Sequence, residues 1–243
     1  MRIALISDIH GNCFALDAAL ADARAQSVDQ IICLGDAIQG GPQPAATVQR
    51  LRELACPIVM GNADAFLLAE ENNAAEPTSA QQREVRAWTL SKLSADDLSF
   101  IRSFQPTVEA ALEGGQRLLC FHGSPTSYND ILLPGTPGEE WQRLLGPYAP
   151  AIMTGGHTHT QQMRSIGAGA RGEAESAGTQ FPQAPAPAGA GLFFNPGSVG
   201  LVYDVLLPAD QLYMNGWAEY AILTSGQGRL AALDFRRVPY DVE

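Results

Sequence analysis

Short apolar runs alternate with longer stretches of helical spacing over the first third of the chain. Ile3 to Ser7 is an apolar run of strand length, Asn12 to Gln26 is rich in Ala and Leu at helical spacing, and Gln30 to Leu34 is a second apolar run. Pro44 to Leu54 predicts another helix and Pro57 to Met60 a third strand. Buried strands alternating with helices in this way predict a parallel sheet. From Asp64 to Phe104 the spacing turns helical, with Ser79 and Ser94 placed as N-caps. This block is expected to lie over one edge of the sheet as a lid, at about residues 64–104. Strand signals return at Arg117–Phe121 and Ala151–Thr154. The runs Leu192–Phe194, Glu219–Thr224 and Leu230–Phe235 suit an antiparallel second sheet. Between Ser165 and Gly191 the chain is rich in Gly, Ala and Pro, cannot bury much apolar surface, and reads as a flexible insertion.

Composition narrows the setting. The 243 residues suffice for one α/β domain with inserts, and 46% hydrophobic residues allow a sizeable core. A formal charge of −11 excludes general nucleic-acid binding and docking on an anionic membrane, since nothing basic enough to displace counterions is present. No run approaches the roughly 18 apolar residues of a membrane span. The start MRIALISDIHGN reads as a strand and loop without a basic leader, so a cytoplasmic location is expected. The cysteines at 13, 33, 56 and 120 form no CxxC pair and read as thiols within the fold. An acidic protein acting on anionic phosphates would need bound cations to dominate the local field.

The candidate chemistry gathers at strand ends. All four histidines, His10, His122, His157 and His159, follow apolar runs, in the contexts SDIHGN, CFHGSP and GGHTHT. Asp8 and His10 are two apart, which in an extended segment turns both side chains the same way. Asp36 follows the second strand in CLGDAIQGG, where a carboxylate could bridge two ions, although Gly-Asp alone is a common turn signal. Asn62 follows the third strand in VMGNADAF and offers a neutral oxygen. Ligand sites in open α/β sheets lie at such carboxyl ends. Histidine nitrogens and carboxylate oxygens without a thiolate favour Mn, Fe, Zn, Co or Ni over a structural zinc site. Seven ligands are too many for one catalytic ion that keeps an open position, and suit two divalent ions.

These motifs, in this order, resemble those of the calcineurin-like metallophosphoesterase superfamily: Asp8-Ile9-His10, Gly35-Asp36, Gly61-Asn62, His122, Gly156-His157-Thr158-His159 and the later NPGSVG at 195–200. The small bacterial and archaeal phosphodiesterases are most similar, and the Trp-containing helical block before FHGSP resembles the diadenosine-tetraphosphatase-like members. The resemblance implies a single domain of two stacked mixed β-sheets flanked by helices, an α/β/β/α sandwich. It implies one ion held by Asp8, His10, Asp36 and His159, and a second by Asp36, Asn62, His122 and His157, with Mn the expected metal. Two positions depart from the pattern. Ala63 stands where many relatives carry a proton-donating His, and Leu201-Val202-Tyr203 follow NPGSVG where relatives often carry Pro-Arg.

The activity implied is hydrolysis of a small phosphate ester, most simply a phosphodiester, by metal-activated hydroxide. Asp36, Asn62 and His122 stand nearest the chemistry. Asn12 is either a donor to a phosphate oxygen or a turn residue. A dinucleoside polyphosphate hydrolase, a phosphomonoesterase and a non-enzymatic metal-binding scaffold are the competing readings, and assembly into a homo-oligomer is open.

Overall fold

The computed structural model describes residues 1–69, 79–149, 152–167, 175–176, 191–202, 215–226 and 229–241. Most of the Gly/Ala/Pro-rich insertion expected at 165–191 lies outside these residues.

Two mixed sheets form the centre. The first has four strands, in the order β10 (Arg229–Pro239), β9 (Trp217–Gly226), β1 (Arg2–Ile6) and β2 (Gln30–Cys33). β1 pairs parallel with β2 and antiparallel with β9. The second has six strands, in the order β3 (Val108–Ala111), β4 (Arg117–Cys120), β5 (Ile152–Thr154), β8 (Gly191–Asn195), β6 (Gln162–Ile166) and β7 (Glu175–Ser176). Helices α1 (Cys13–Ala25), α2 (Pro44–Leu54), α3 (Asn62–Leu68), α4 (Ala80–Leu90), α5 (Ala95–Arg102) and α6 (Gly138–Leu145) complete the fold.

The sandwich follows from which faces must be dry. Strand β1 is apolar at every position from Ile3 to Ile6 because both of its faces are covered. Ile3 and Leu5 point into the layer between the sheets, against Leu118, Cys120, Ile152 and Phe194. Ala4 and Ile6 point the other way, into a core built with Leu16, Ala19 and Leu20 of α1 and Val48 and Leu51 of α2. On the far side, Phe121, Met153 and Phe193 meet Trp141, Leu144 and Leu145 of α6. The layers are therefore helix, sheet, sheet, helix, as the motif resemblance implies.

Several local expectations are corrected. The last three strand runs do not make a sheet of their own. β8 joins β5 in parallel, whereas β9 and β10 close onto β1, because Ala221 and Leu223 complete the apolar layer between the sheets. The run Pro57–Met60 makes only single parallel bridges, Ile58 to Cys33 and Val59 to Gln105, instead of a regular strand. Ser79 and Ser94 do cap α4 and α5, each accepting a hydrogen bond from the third helical N–H while Gln82 and Asp97 bond back to the cap. All four cysteines are free thiols, and burial raises each thiol's pKa. Among the described residues, no helix is long and apolar enough to cross a membrane.

Candidate metal centre

The loops that leave β1 and β2 run side by side. Asp8 N–H donates to the Gly35 carbonyl at 3.0 Å, His10 N–H to Asp36 at 2.9 Å and Gly11 N–H to Ala37 at 2.9 Å. This lacing does not leave the loops extended. Asp8, His10 and Asp36 all have positive φ, at 53°, 49° and 49°, and so do His157 and His159, at 70° and 53°. Only two other described non-glycine residues, Ser27 and Ala55, share that conformation. Such backbone costs on the order of 1 kcal/mol per residue, persists only where the surroundings enforce it, and concentrates at functional sites. Asp8 and His10 therefore converge through a left-handed turn, which corrects the expectation of an extended segment.

Two clusters result. Asp8, His10 and His159 offer ligand atoms within 4.8 Å of one another, and so do Asp36, His122 and His157. The spacing of two between His157 and His159 sends the two rings to different clusters. Asn62 joins the second set, with Oδ1 at 2.9 Å from His122 Nε2. Asp36 lies between the sets. Its Oδ2 is 3.9 Å from His10 Nε2 and 3.4 Å from His122 Nε2, while its Oδ1 accepts the Ala63 N–H at 2.7 Å.

The donors fit divalent ions. His10 Nδ1 donates to Gln39 O at 2.7 Å, His159 Nδ1 to Leu201 O at 2.8 Å and His122 Nδ1 to Leu34 O at 2.8 Å. Each bond leaves Nε2 as the inward atom, the arrangement by which an outer carbonyl orients a histidine ligand. His10 Nε2 and His159 Nε2 then face each other at 3.1 Å, beside Asp8 Oδ1 at 4.0 and 3.3 Å. With ion–ligand distances of about 2.0–2.2 Å, neighbouring donors on one ion stand roughly 3 Å apart.

Electrostatics point the same way. Burial raises the Asp8 and Asp36 carboxyls, but the facing histidines, His159 for Asp8 and His122 for Asp36, outweigh it and hold both below the usual range. Burial alone would lower His122, yet Asp36 and Asp8 push it up to about 9. His159 is likewise raised by Asp8 against its burial, whereas His10 is lowered by burial and by His159. Without an ion, the facing carboxylates thus favour the protonated form of His122 and, in the same direction, of His159.

Residues outside the two clusters hold them in place. Asp64, fully buried, accepts Ala37 N–H at 3.1 Å and Ile38 N–H at 3.2 Å, and so holds the turn that carries Asp36. Burial and the nearby Asp36 charge push its pKa up to about 7. Asn195 of NPGSVG donates to Gly156 O at 2.7 Å, and Ser198 Oγ donates to Asp8 O at 2.8 Å, so this loop ties both ligand-bearing turns together. Their chemistry as donors and acceptors is visible in the sequence, but their partners are 39 and 190 residues away.

Asn12 is engaged elsewhere. Its Oδ1 accepts Ala15 N–H as the N-cap of α1, and its Nδ2 donates to Gly200 O and Tyr240 Oη at 3.1 and 3.0 Å. Both of its amide groups are committed, which favours the turn-residue reading over a phosphate donor.

Residues 1–207 match the family model of the calcineurin-like phosphoesterase superfamily domain. A crystal structure of a metallophosphoesterase from Sphaerobacter thermophilus aligns at 26% identity with a TM-score of 0.71, covering 99% of this chain and 90% of that one. A hypothetical protein from Pyrococcus horikoshii shares the fold at 17% identity, with a TM-score of 0.74 and coverage of 99% and 89%. An uncharacterized protein of Methanocaldococcus jannaschii is 32% identical over 123 residues, 51% of this chain. The match spans about half, 49%, of the length of that curated relative.

Proposed function

The chain belongs to the calcineurin-like phosphoesterase superfamily, and from that footing we propose that it hydrolyses small phosphodiesters with two divalent ions. One ion would be held by Asp8, His10, Asp36 and His159, and the other by Asp36, Asn62, His122 and His157. The observation that carries this reading is the gathering of two aspartates and four histidines into two adjoining clusters, with Asp36 facing both. The nitrogen and oxygen set without thiolate suits Mn, Fe, Zn, Co or Ni, and manganese, the metal the motif resemblance implies, is the one proposed.

When bound, two such ions neutralise charge on the phosphoryl oxygens and acidify water for attack on phosphorus. The chain's own part is placement. Asp36 is pinned through Oδ1 by Ala63 N–H, leaving Oδ2 turned toward His10 and His122. The backbone carbonyls of Gln39, Leu34 and Leu201 fix the three imidazoles in the tautomer that presents Nε2. Asp64 and Asn195 keep the loops in register.

Residue 63 is Ala, so no side chain there donates a proton to the leaving group. Aryl esters, which depart without one, are the fitting assay. Purified protein with manganese is expected to hydrolyse bis(p-nitrophenyl) phosphate faster than p-nitrophenyl phosphate or diadenosine tetraphosphate. Asp36→Asn should bind fewer than two ions and lose about 100-fold or more in kcat. Full metal content together with full turnover in that variant would sink the two-ion account. A two-metal protein inactive on all three substrates would instead be a scaffold.

A further inference from the structure

The loop that follows His122 walls a cavity of about 350 Å³, lined by Pro106 and residues 124–129. That volume is within the range of about 300–1,000 Å³ usual for small-molecule sites. Three connections place it next to the proposed reaction centre. Ser124 follows His122 by two residues, so their Cα atoms are at most about 7.6 Å apart. Strand β3, which begins two residues after Pro106, pairs its first residue Val108 with Cys120, the last residue of β4 and two residues before His122. Gln105, just before Pro106, accepts Met60 N–H at 2.7 Å, two residues from Asn62. The loop also curls back tightly over Gly123, where a Cβ would come within 2.7 Å of Tyr128 O and 2.8 Å of Asp130 N.

The lining has a definite chemistry. None of the described residues that wall the cavity is charged. Asp130, next in the chain, accepts the Ser124 hydroxyl at 2.6 Å, and Arg143 lies near enough to interact with its charge. Ser124 Oγ also accepts Ser127 N–H at 3.1 Å, and Ser127 Oγ accepts Asn129 N–H at 3.1 Å, so the serines are spent on shaping the loop. The Tyr128 ring packs, half-buried, against the core cluster that includes Met60 and Leu67, and its hydroxyl has no hydrogen-bond partner among the described residues. The same is true of the Asn129 side-chain amide, which is exposed. An aromatic ring, two prolines, and a hydroxyl and an amide without partners among the described residues offer apolar contact to a flat ring and hydrogen bonds to hydroxyls.

We propose that this cavity, formed by the loop that follows His122, is a subsite for one ester arm of the substrate, and that the arm is an uncharged nucleoside. The proposal rests on the phosphodiesterase reading above and sharpens it. One phosphate sits at the ions, and the nucleoside on it extends over Tyr128 and Asn129. A polyphosphate arm would find no cation among the described residues of the wall.

The test compares two diesters of equal charge and identical reporter, thymidine 5′-(p-nitrophenyl phosphate) and methyl p-nitrophenyl phosphate, on manganese-loaded protein. The wild type should favour the thymidine diester, chiefly through a lower KM. Tyr128→Phe, which keeps the ring, and Asn129→Ala should each reduce the thymidine-to-methyl ratio of kcat/KM by about threefold to tenfold, the range of one lost hydrogen bond. An unchanged ratio in both variants would overturn the subsite. Thymidine alone, titrated calorimetrically, separates this from the enzymatic reading. If neither diester is cleaved but thymidine binds, and binds several-fold more weakly to the two variants, the subsite stands and the phosphodiesterase reading falls. Turnover of the diesters with no thymidine preference and no thymidine binding would remove the subsite and leave the phosphodiesterase reading standing.

Discussion

At Gly61 the backbone of one loop presses on the side chain of another. A methyl group there would collide with the backbone nitrogen and Oδ1 of Asp36. Neither can easily yield, since Oδ1 is also held by Ala63 N–H at 2.7 Å. Gly61→Ala should therefore displace the carboxylate shared by the two clusters, at an overpacking cost of about 1–3 kcal/mol. Metal analysis of the purified variant should show fewer than two ions per chain, and retention of both at unchanged affinity would show that Asp36 does not depend on this close approach. The ligand types themselves are legible in the sequence, because the donor chemistry of Asp, His and Asn does not depend on the fold. Their left-handed backbone is not. It is imposed by hydrogen bonds between loops about 27 residues apart, such as Asp8 to Gly35 and His10 to Asp36.

Elements with their own start signals are the ones the sequence places well. Helix α2 occupies Pro44–Leu54, the span its pattern predicts, and α5 begins after Ser94 because Ser94 and Asp97 satisfy each other's backbone N–H groups. Ser94→Ala should cost about 1 kcal/mol, seen as a fall of about 2–4 °C in Tm for a domain of this size. A change within 0.5 °C would mean that α5 is held by its packing through Leu98, Phe100 and Ile101, not by its cap. Strands are harder to place. An apolar run specifies that a strand will be buried but not beside which neighbour, so β8 and β9, both apolar, go to different sheets. Helix α6 and strands β3 and β6 are not among the elements the pattern predicts. β3 alternates buried and exposed residues over only four positions, and β6 is buried at its two ends alone.

For the whole molecule, the central quantity is the charge enclosed between the layers. His122 is held protonated up to about pH 9 in the metal-free protein, against an ordinary value of 6.5. The stability this contributes is fully present below about pH 6.5 and is lost as pH rises through about 9. An ion bound to Nε2 must displace that proton, so metal affinity should rise with pH across the same window. Manganese should accordingly raise Tm more at pH 8 than at pH 6, and calorimetric titration should register proton release. Equal Tm shifts at both pH values, with no protons released, would remove His122 from the ligand set.

By itself, the sequence determined which atoms could bind metal, their order along the chain and most of the helices. Donor type is a property of single residues, and helical spacing and caps are local. The motif order already implied two sets sharing Asp36; the tertiary structure decided the left-handed loops that bring each set together and that Asn12 is a cap. Those outcomes depend on contacts between distant segments: the β1 and β2 loops laced together, the NPGSVG loop across them, and two sheets stacked over one apolar layer.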